Sequence, residues 1–163
     1  AMNREGRTFK GVLYFGLMVT DFGVKVLEYN ARFGDPETQV VLPLLKTDLL
    51  DVFDACIDGT LDRLTLEWED NACVCVILAS GGYPQSYPKG LPITIGALED
   101  GVFLYHAGTV FDENGCLVTS GGRVLGVTAK GKSIAEAREK AYRNVTQVSF
   151  EGMHYRTDIG IKL

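Results

Sequence analysis

The pattern of hydrophobic and polar positions divides the chain into segments of different period. Residues 11–20 (GVLYFGLMVT) and 24–30 (VKVLEYN) are rich in β-branched and aromatic side chains, and Asp21-Phe22-Gly23 separates them. Two such runs joined by three residues ending in glycine predict a β-hairpin. Asp35-Pro36 then offers a capping carboxylate and a proline for the first helical position, ahead of Val40, Val41, Leu44 and Leu45 at helical spacing. A second helix is expected from about Asp48 to Asp58. Its apolar stripe is Leu49, Val52, Phe53, Cys56 and Ile57, and Gly59 supplies the stop.

From residue 65 onward the pattern is that of strands, expected at 72–80, 92–96, 102–111, 116–119 and 122–129, with Asp112-Glu113-Asn114-Gly115 as a hairpin turn. A long helix closes the pattern over 133–148. Ser133 and Glu136 form a capping box, and Ile134, Ala137, Ala141, Val145 and Val148 recur on one face. The change of character near residues 58–65 sets the expected boundary, giving parts 1–60 and 61–163. The fold class is α+β, mostly antiparallel, with a packed helix.

Composition adds bounds. A chain of 163 residues fits one domain, or a small domain and a piece of another. A chain of this size buries roughly 68–70% of its unfolded surface, so its core needs no covalent staple. The net charge of −5 opposes a nucleic-acid or anionic membrane partner. No apolar run reaches a membrane-spanning length, and no secretory leader opens the chain. Ala1-Met2 reads as a remnant ahead of an internal start, so a longer parent is expected. Cys56, Cys73, Cys75 and Cys116 form no C-x-x-C pair, and Cys73 and Cys75 alternate with valines as small buried hydrophobes do. They are expected to be free thiols in the cytoplasm, and His106 and His154, without partners at ligand spacing, to have structural roles. Nineteen glycines cluster in loops, which suggests backbone-shaped sites or many tight turns.

The densest chemistry lies in Glu28-Tyr29-Asn30-Ala31-Arg32. Alternation along a strand puts Val24, Val26, Glu28, Asn30 and, where the strand persists, Arg32 on one face. Oxygens of Glu28 and Asn30 can converge on one hard cation, and two protein oxygens suit a magnesium that keeps water and binds phosphates. Arg32 would then meet the same phosphates with its planar fork. The competing reading is a strand end with a surface salt bridge. Lys89, in the loop bracketed by Gly81-Gly82-Tyr83-Pro84 and Tyr87-Pro88-Lys89-Gly90, reads as a phosphate contact or as a solvated lysine in a turn. Gly121-Gly122-Arg123 reads as a close backbone approach to a ligand with an arginine for phosphate, or as a β-bulge with an exposed arginine.

Residues 27–39 (LEYNARFGDPETQ) closely resemble the glycinamide ribonucleotide synthetase family of the ATP-grasp superfamily. The resemblance continues in order through GVLYFGLM (11–18), Gly82-Tyr83-Pro84, Tyr87-Pro88-Lys89-Gly90, His106-Ala107-Gly108-Thr109, Gly121-Gly122-Arg123-Val124-Leu125 and Tyr155-Arg156. It implies that 1–60 is the distal part of an ATP-grasp core and 61–163 the C-terminal domain. The implied parent is an ATP-dependent ligase of purine biosynthesis. It activates glycine as an acyl phosphate that phosphoribosylamine attacks, releasing ADP and phosphate. Carried over by position, Glu28 and Asn30 are implied magnesium or manganese ligands, and Arg32 the catalytic arginine at the transferring phosphoryl group. Asp35 and Pro36 border the glycine position, Asp35 as an ammonium contact or as a plain helix cap; Lys89, Gly121, Gly122 and Arg123 are further substrate contacts. The ATP-covering glycine-rich loop of such a ligase is absent, so this chain alone is expected to be inactive and to need an upstream portion. The alternative is a non-catalytic anion- or nucleotide-binding or docking domain working with a separate ATP-grasp chain.

Overall fold

The structure, a computed structural model, describes residues 2–161; Ala1 lies outside them. In chain order the elements are β1 (Tyr14–Thr20), β2 (Gly23–Asn30), α1 (Thr38–Val41), α2 (Leu49–Asp58), β3 (Ala72–Ala79), β4 (Thr94–Ile95), β5 (Val102–His106), β6 (Thr109–Phe111), β7 (Leu117–Thr119), β8 (Arg123–Gly131), α3 (Ile134–Val145) and β9 (Val148–Ser149). They form two compact units. The first holds the chain through Thr38 together with Leu45–Glu69; the second holds Gln39–Leu44 and the chain from Asp70 onward. Residues 61–69, which the change of pattern assigned to the second part, thus lie in the first unit. Hydrogen bonds of Glu67 hold this stretch there: Lys46 N–H donates to Glu67 O at 2.9 Å, and Glu67 N–H to the Thr47 side-chain Oγ1 at 2.7 Å.

In the first unit β1 and β2 pair antiparallel. The turn has two residues rather than three, because Gly23 already pairs with Thr20. Gly23 takes a φ of 95°, which glycine tolerates without a Cβ penalty. The α2 helix forms as its pattern predicts. The Asp48 side chain accepts from Leu50 N–H at 2.8 Å, and Gly59 ends the helix at φ 73° with its N–H on Ala55 O. Its apolar stripe faces the chain around Gly11, Val12 and Phe33 across a cavity of about 380 Å³. The helix expected at Asp35-Pro36 begins instead at Thr38, lasts four residues, and passes into a 3₁₀ turn at Leu42–Leu44. Thr38 N–H reaches back to Gly34 O at 3.1 Å, so a turn over 34–38 replaces the capped start. Pro43 lacks the N–H that would continue the helix.

In the second unit β8 lies between β3 and β5, all antiparallel. Paired residues share a face, so Val74, Val76 and Leu78 align with Ala129, Val127 and Leu125 against α3. Ala137 and Ala141 are fully buried there, and their small side chains let the helix lie close to the sheet. Glu136 N–H bonds Ser133 Oγ at 3.2 Å and Glu136 Oε2 accepts from Lys132 N–H at 2.9 Å, so the α3 start is capped from both directions. The helix stops at Val145, and Val148 joins β9 beside β4. The strand expected over 102–111 breaks at Ala107-Gly108 into β5 and β6; Asp112–Cys116 then turns into β7, with Asp112 Oδ1 accepting from Asn114 and Cys116 N–H.

Asn144 is the buried polar clamp of this unit, 1% exposed. Its amide donates to Glu99 Oε1 and Lys140 O, and its Oδ1 accepts from Glu99 N–H, each at 2.9 Å. Arg143 foremost, by hydrogen bond, and also Asn144 hold the Glu99 carboxyl below its ordinary range against the opposing effect of burial. A lowered carboxylate favours the folded state at neutral pH and loses that contribution as pH falls through the carboxylate range. Asn144→Ala is expected to weaken the second unit by about 1–3 kcal/mol, because the part-buried Glu99 N–H loses its acceptor and the Glu99 carboxylate one of its donors. Urea unfolding checks this; a loss below about 1 kcal/mol would mean that water replaces the amide.

Candidate functional site

The β1–β2 register builds the first cluster. Tyr14 stands opposite Asn30, Phe15 opposite Tyr29 and Gly16 opposite Glu28, but Leu17 stands opposite Val26. Leu27 is therefore an extra residue, a bulge on β2. The bulge corrects the expected alternation. Glu28 and Asn30 share a face with Tyr14 and Gly16, whereas Val24 and Val26 lie on the opposite face with Phe15, Leu17, Val19 and Tyr29. Gly16 makes room for the acid, since a Cβ there would approach Glu28 Cγ to 2.9 Å. Glu28 and Asn30 lie side by side, with the amide nitrogen rather than the amide oxygen of Asn30 on the carboxylate: Asn30 Nδ2 donates to Glu28 Oε1 at 3.0 Å.

The strand ends at Asn30, so Arg32 does not continue its face. Arg32 is exposed, and its Nη1 donates to Phe33 O at 2.7 Å. That contact anchors the guanidinium to a residue whose ring packs 6.4 Å from Phe53 of α2. Asp35 and Pro36 lie in the turn that follows. Sequence reasoning passed over Tyr14, Gly34 and Glu37. Tyr14 OH donates to Glu37 Oε1 at 3.0 Å. That hydrogen bond, with burial and the charges of Glu37 and Glu28, holds the Tyr14 phenol above its usual range.

The second cluster lies in the second unit. Gly90 N–H donates to Thr119 O at 2.6 Å and Leu91 N–H to Thr119 Oγ1 at 3.1 Å, which places Lys89 beside the end of β7. Ser80, 1% exposed, donates from Oγ to Gly121 O and from its N–H to Gly122 O, both at 2.8 Å. A side chain at Gly122 would collide with the Tyr83 ring, and Gly121 packs against Gly108, where a Cβ would lie 2.5 Å from Gly121 Cα. These contacts bring Lys89, Gly121, Gly122 and Arg123 to one end of the β3–β8 pair. The glycines there admit neighbouring protein backbone and an aromatic ring. Val124 is an extra residue between Leu125, paired with Leu78, and Arg123, paired with Ala79, so a bulge does lie next to the half-buried Arg123.

The donor types fit a hard divalent cation: an exposed carboxylate beside a half-buried carboxamide, whose oxygen can serve the same cation. Among the described residues no group of three or more His, Cys, Asp or Glu side chains forms a metal cage. The pair therefore suits a cation that completes its shell with water and phosphate oxygens. Among the described residues no helix is long and apolar enough to cross a membrane.

Comparison with known proteins matches both parts of the chain. The family model described as phosphoribosylglycinamide synthetase, C domain, matches residues 73–162, and the ATP-grasp (A) domain model of the same synthetase matches residues 1–38. A phosphoribosylamine–glycine ligase of Caldanaerobacter subterraneus is 58% identical over 161 residues, which cover 98% of this chain and 38% of that protein. A bifunctional purine biosynthetic protein of Dictyostelium discoideum is 48% identical over 172 residues, 99% of this chain and 21% of that protein. The crystal structure of a phosphoribosylamine–glycine ligase from Thermotoga maritima superposes with a TM-score of 0.81 at 38% identity, covering 96% of this chain and 39% of that one. The chain spans well under half the length of these relatives.

Proposed function

Because the chain belongs to the phosphoribosylglycinamide synthetase family, we propose that it is the C-terminal part of a cytoplasmic phosphoribosylamine–glycine ligase. The reaction joins glycine to 5-phosphoribosylamine through a glycyl phosphate and converts ATP to ADP and phosphate. The observation that carries this reading is the colinear match of two successive domain models of one synthetase to residues 1–38 and 73–162.

Glu28 and Asn30 hold magnesium or manganese, which neutralises charge on the nucleotide phosphates when bound. Arg32 presents its remaining N–H donors to the phosphoryl group in transfer. Such chemistry is mostly positioning and charge neutralisation, and needs no nucleophilic side chain. Asp35 and Pro36 border the glycine, and Lys89, Gly121, Gly122 and Arg123 are further substrate contacts. An upstream portion supplies the nucleotide cover.

The test is ADP release by the full-length protein with ATP, glycine and phosphoribosylamine. Turnover that requires all three supports the ligase, whereas ATP hydrolysis indifferent to glycine refutes it. The chain alone should give none until the upstream portion is supplied in trans. Glu28→Gln is expected to lower turnover at limiting magnesium and to recover in part with excess magnesium or with manganese, since one charged oxygen of a hard-cation site is gone. Full activity of that variant at limiting magnesium would remove Glu28 from the metal role.

A further inference from the structure

Within this ligase reading, on which the inference rests, the turn after β2 offers two carboxylates for the amino end of the amino-acid substrate. Asp35 is exposed; Glu37 is half-buried and held from two sides. The register puts Tyr14 on the face of Glu28 and Asn30, and from there its hydroxyl bonds Glu37 Oε1 at 3.0 Å. On the other side the carboxylate lies against Gly34, where an added Cβ would collide with Glu37 Oε2 and sit 3.0 Å from its Cδ. Glu37 accepts from the Tyr14 hydroxyl, and Glu28 lies on the same strand face as Tyr14. The donors that hold them, the Asn30 amide and the Tyr14 hydroxyl, are neutral and leave both negative charges in place.

A glycine ammonium and a metal cation repel each other unless each has its own anion. Glu28, with Asn30, serves the metal; a second carboxylate on the same side of the turn must serve the ammonium. We infer that Glu37 is the carboxylate that receives the substrate ammonium, and that Tyr14 positions it. Gly34 is glycine because the carboxylate occupies the space of its side chain.

The experiment is steady-state kinetics of the full-length ligase with glycine and Mg·ATP varied separately. Tyr14→Phe is expected to raise the glycine KM about tenfold, the cost of one hydrogen bond to a charged group, with the Mg·ATP KM within about twofold. Glu37→Gln should raise it about a hundredfold, since the ion pair itself is lost. Gly34→Ala, which displaces the same carboxylate from the other side, should reproduce the Tyr14→Phe split. A purely structural role would instead lower the melting temperature and shift both KM values together, which overturns the inference. So would a glycine KM unmoved by Glu37→Gln, or a glycine defect carried by Asp35→Asn in its place. Should Tyr14→Phe fail to fold, Glu37→Gln decides. If the wild-type protein does not join glycine at all, the ligase reading fails first and this inference with it.

Discussion

Arg32→Lys in the full-length ligase is expected to lose nearly as much turnover as Arg32→Ala, on the order of 10²–10³ in kcat, the typical consequence of removing one preorganised donor from a developing negative charge. On the role proposed for Arg32, charge alone does not suffice. Arg32 stands beyond the end of β2, where no strand pairing fixes its backbone, and one arm of its guanidinium is fastened to Phe33 O at 2.7 Å. With that arm fixed, the planar fork aims its remaining N–H groups in a set direction. A lysine placed there keeps its positive charge, but its ammonium cannot hold Phe33 O and still present a rigid pair of donors to a phosphoryl group. The defect should fall on kcat more than on the KM for ATP, because the contact strengthens as charge moves during transfer. Unchanged kcat with a raised KM for ATP alone would reassign Arg32 to holding the nucleotide in its ground state.

The same residue marks where the sequence stops being legible. Elements fixed by neighbours in the chain were readable: the hairpin, the capped α2 with its Gly59 stop, the Asp112–Cys116 turn, and the Ser133–Glu136 cap of α3. Each is set by a turn or cap whose bonds join residues at most five positions apart. The Leu27 bulge was not readable, because it arises from how β2 meets Gly16 on another strand. Strict alternation therefore put Val24 and Val26 on the wrong face and carried Arg32 along a strand that ends at Asn30. Glu28 and Asn30 were still paired correctly, since the bulge lies before them. Tyr14 read as one more aromatic in an apolar run; its hydroxyl finds Glu37 at a separation of 23 residues. The extent of the first compact unit was hidden for a like reason: the chain before β3 looks like the strands that follow, yet Glu67 bonds back to Lys46 and Thr47.

The glycines of the second cluster lead to the largest stability effect expected here. Gly108→Ala should destabilise the second unit by about 3 kcal/mol or more, in the upper range for overpacking. The added Cβ would lie 2.5 Å from Gly121 Cα, 2.6 Å from Arg123 O and 2.7 Å from Gly121 N, all backbone atoms that cannot rotate away. Nor can the two strands separate cheaply. Gly108 N–H bonds Arg123 O at 2.8 Å and Ser120 N–H bonds Gly108 O at 2.7 Å, so relieving the clash breaks hydrogen bonds on both sides of it. Gly115→Ala is the control. Gly115 has a φ of 76°, which strains any other residue, but nothing lies within 4 Å of its missing Cβ, so only the left-handed backbone penalty of about 1–2 kcal/mol applies. Urea unfolding of the two variants compares a packing clash with a torsional strain in one unit. Because 120–123 must move to admit the methyl group, Gly108→Ala should also disturb Gly121, Gly122 and Arg123. Turnover of the full-length ligase should then fall for Gly108→Ala and stay near wild type for Gly115→Ala. If the two variants are equally stable, the strands part more easily than their hydrogen bonds suggest, and the loop end is no rigid platform for a substrate.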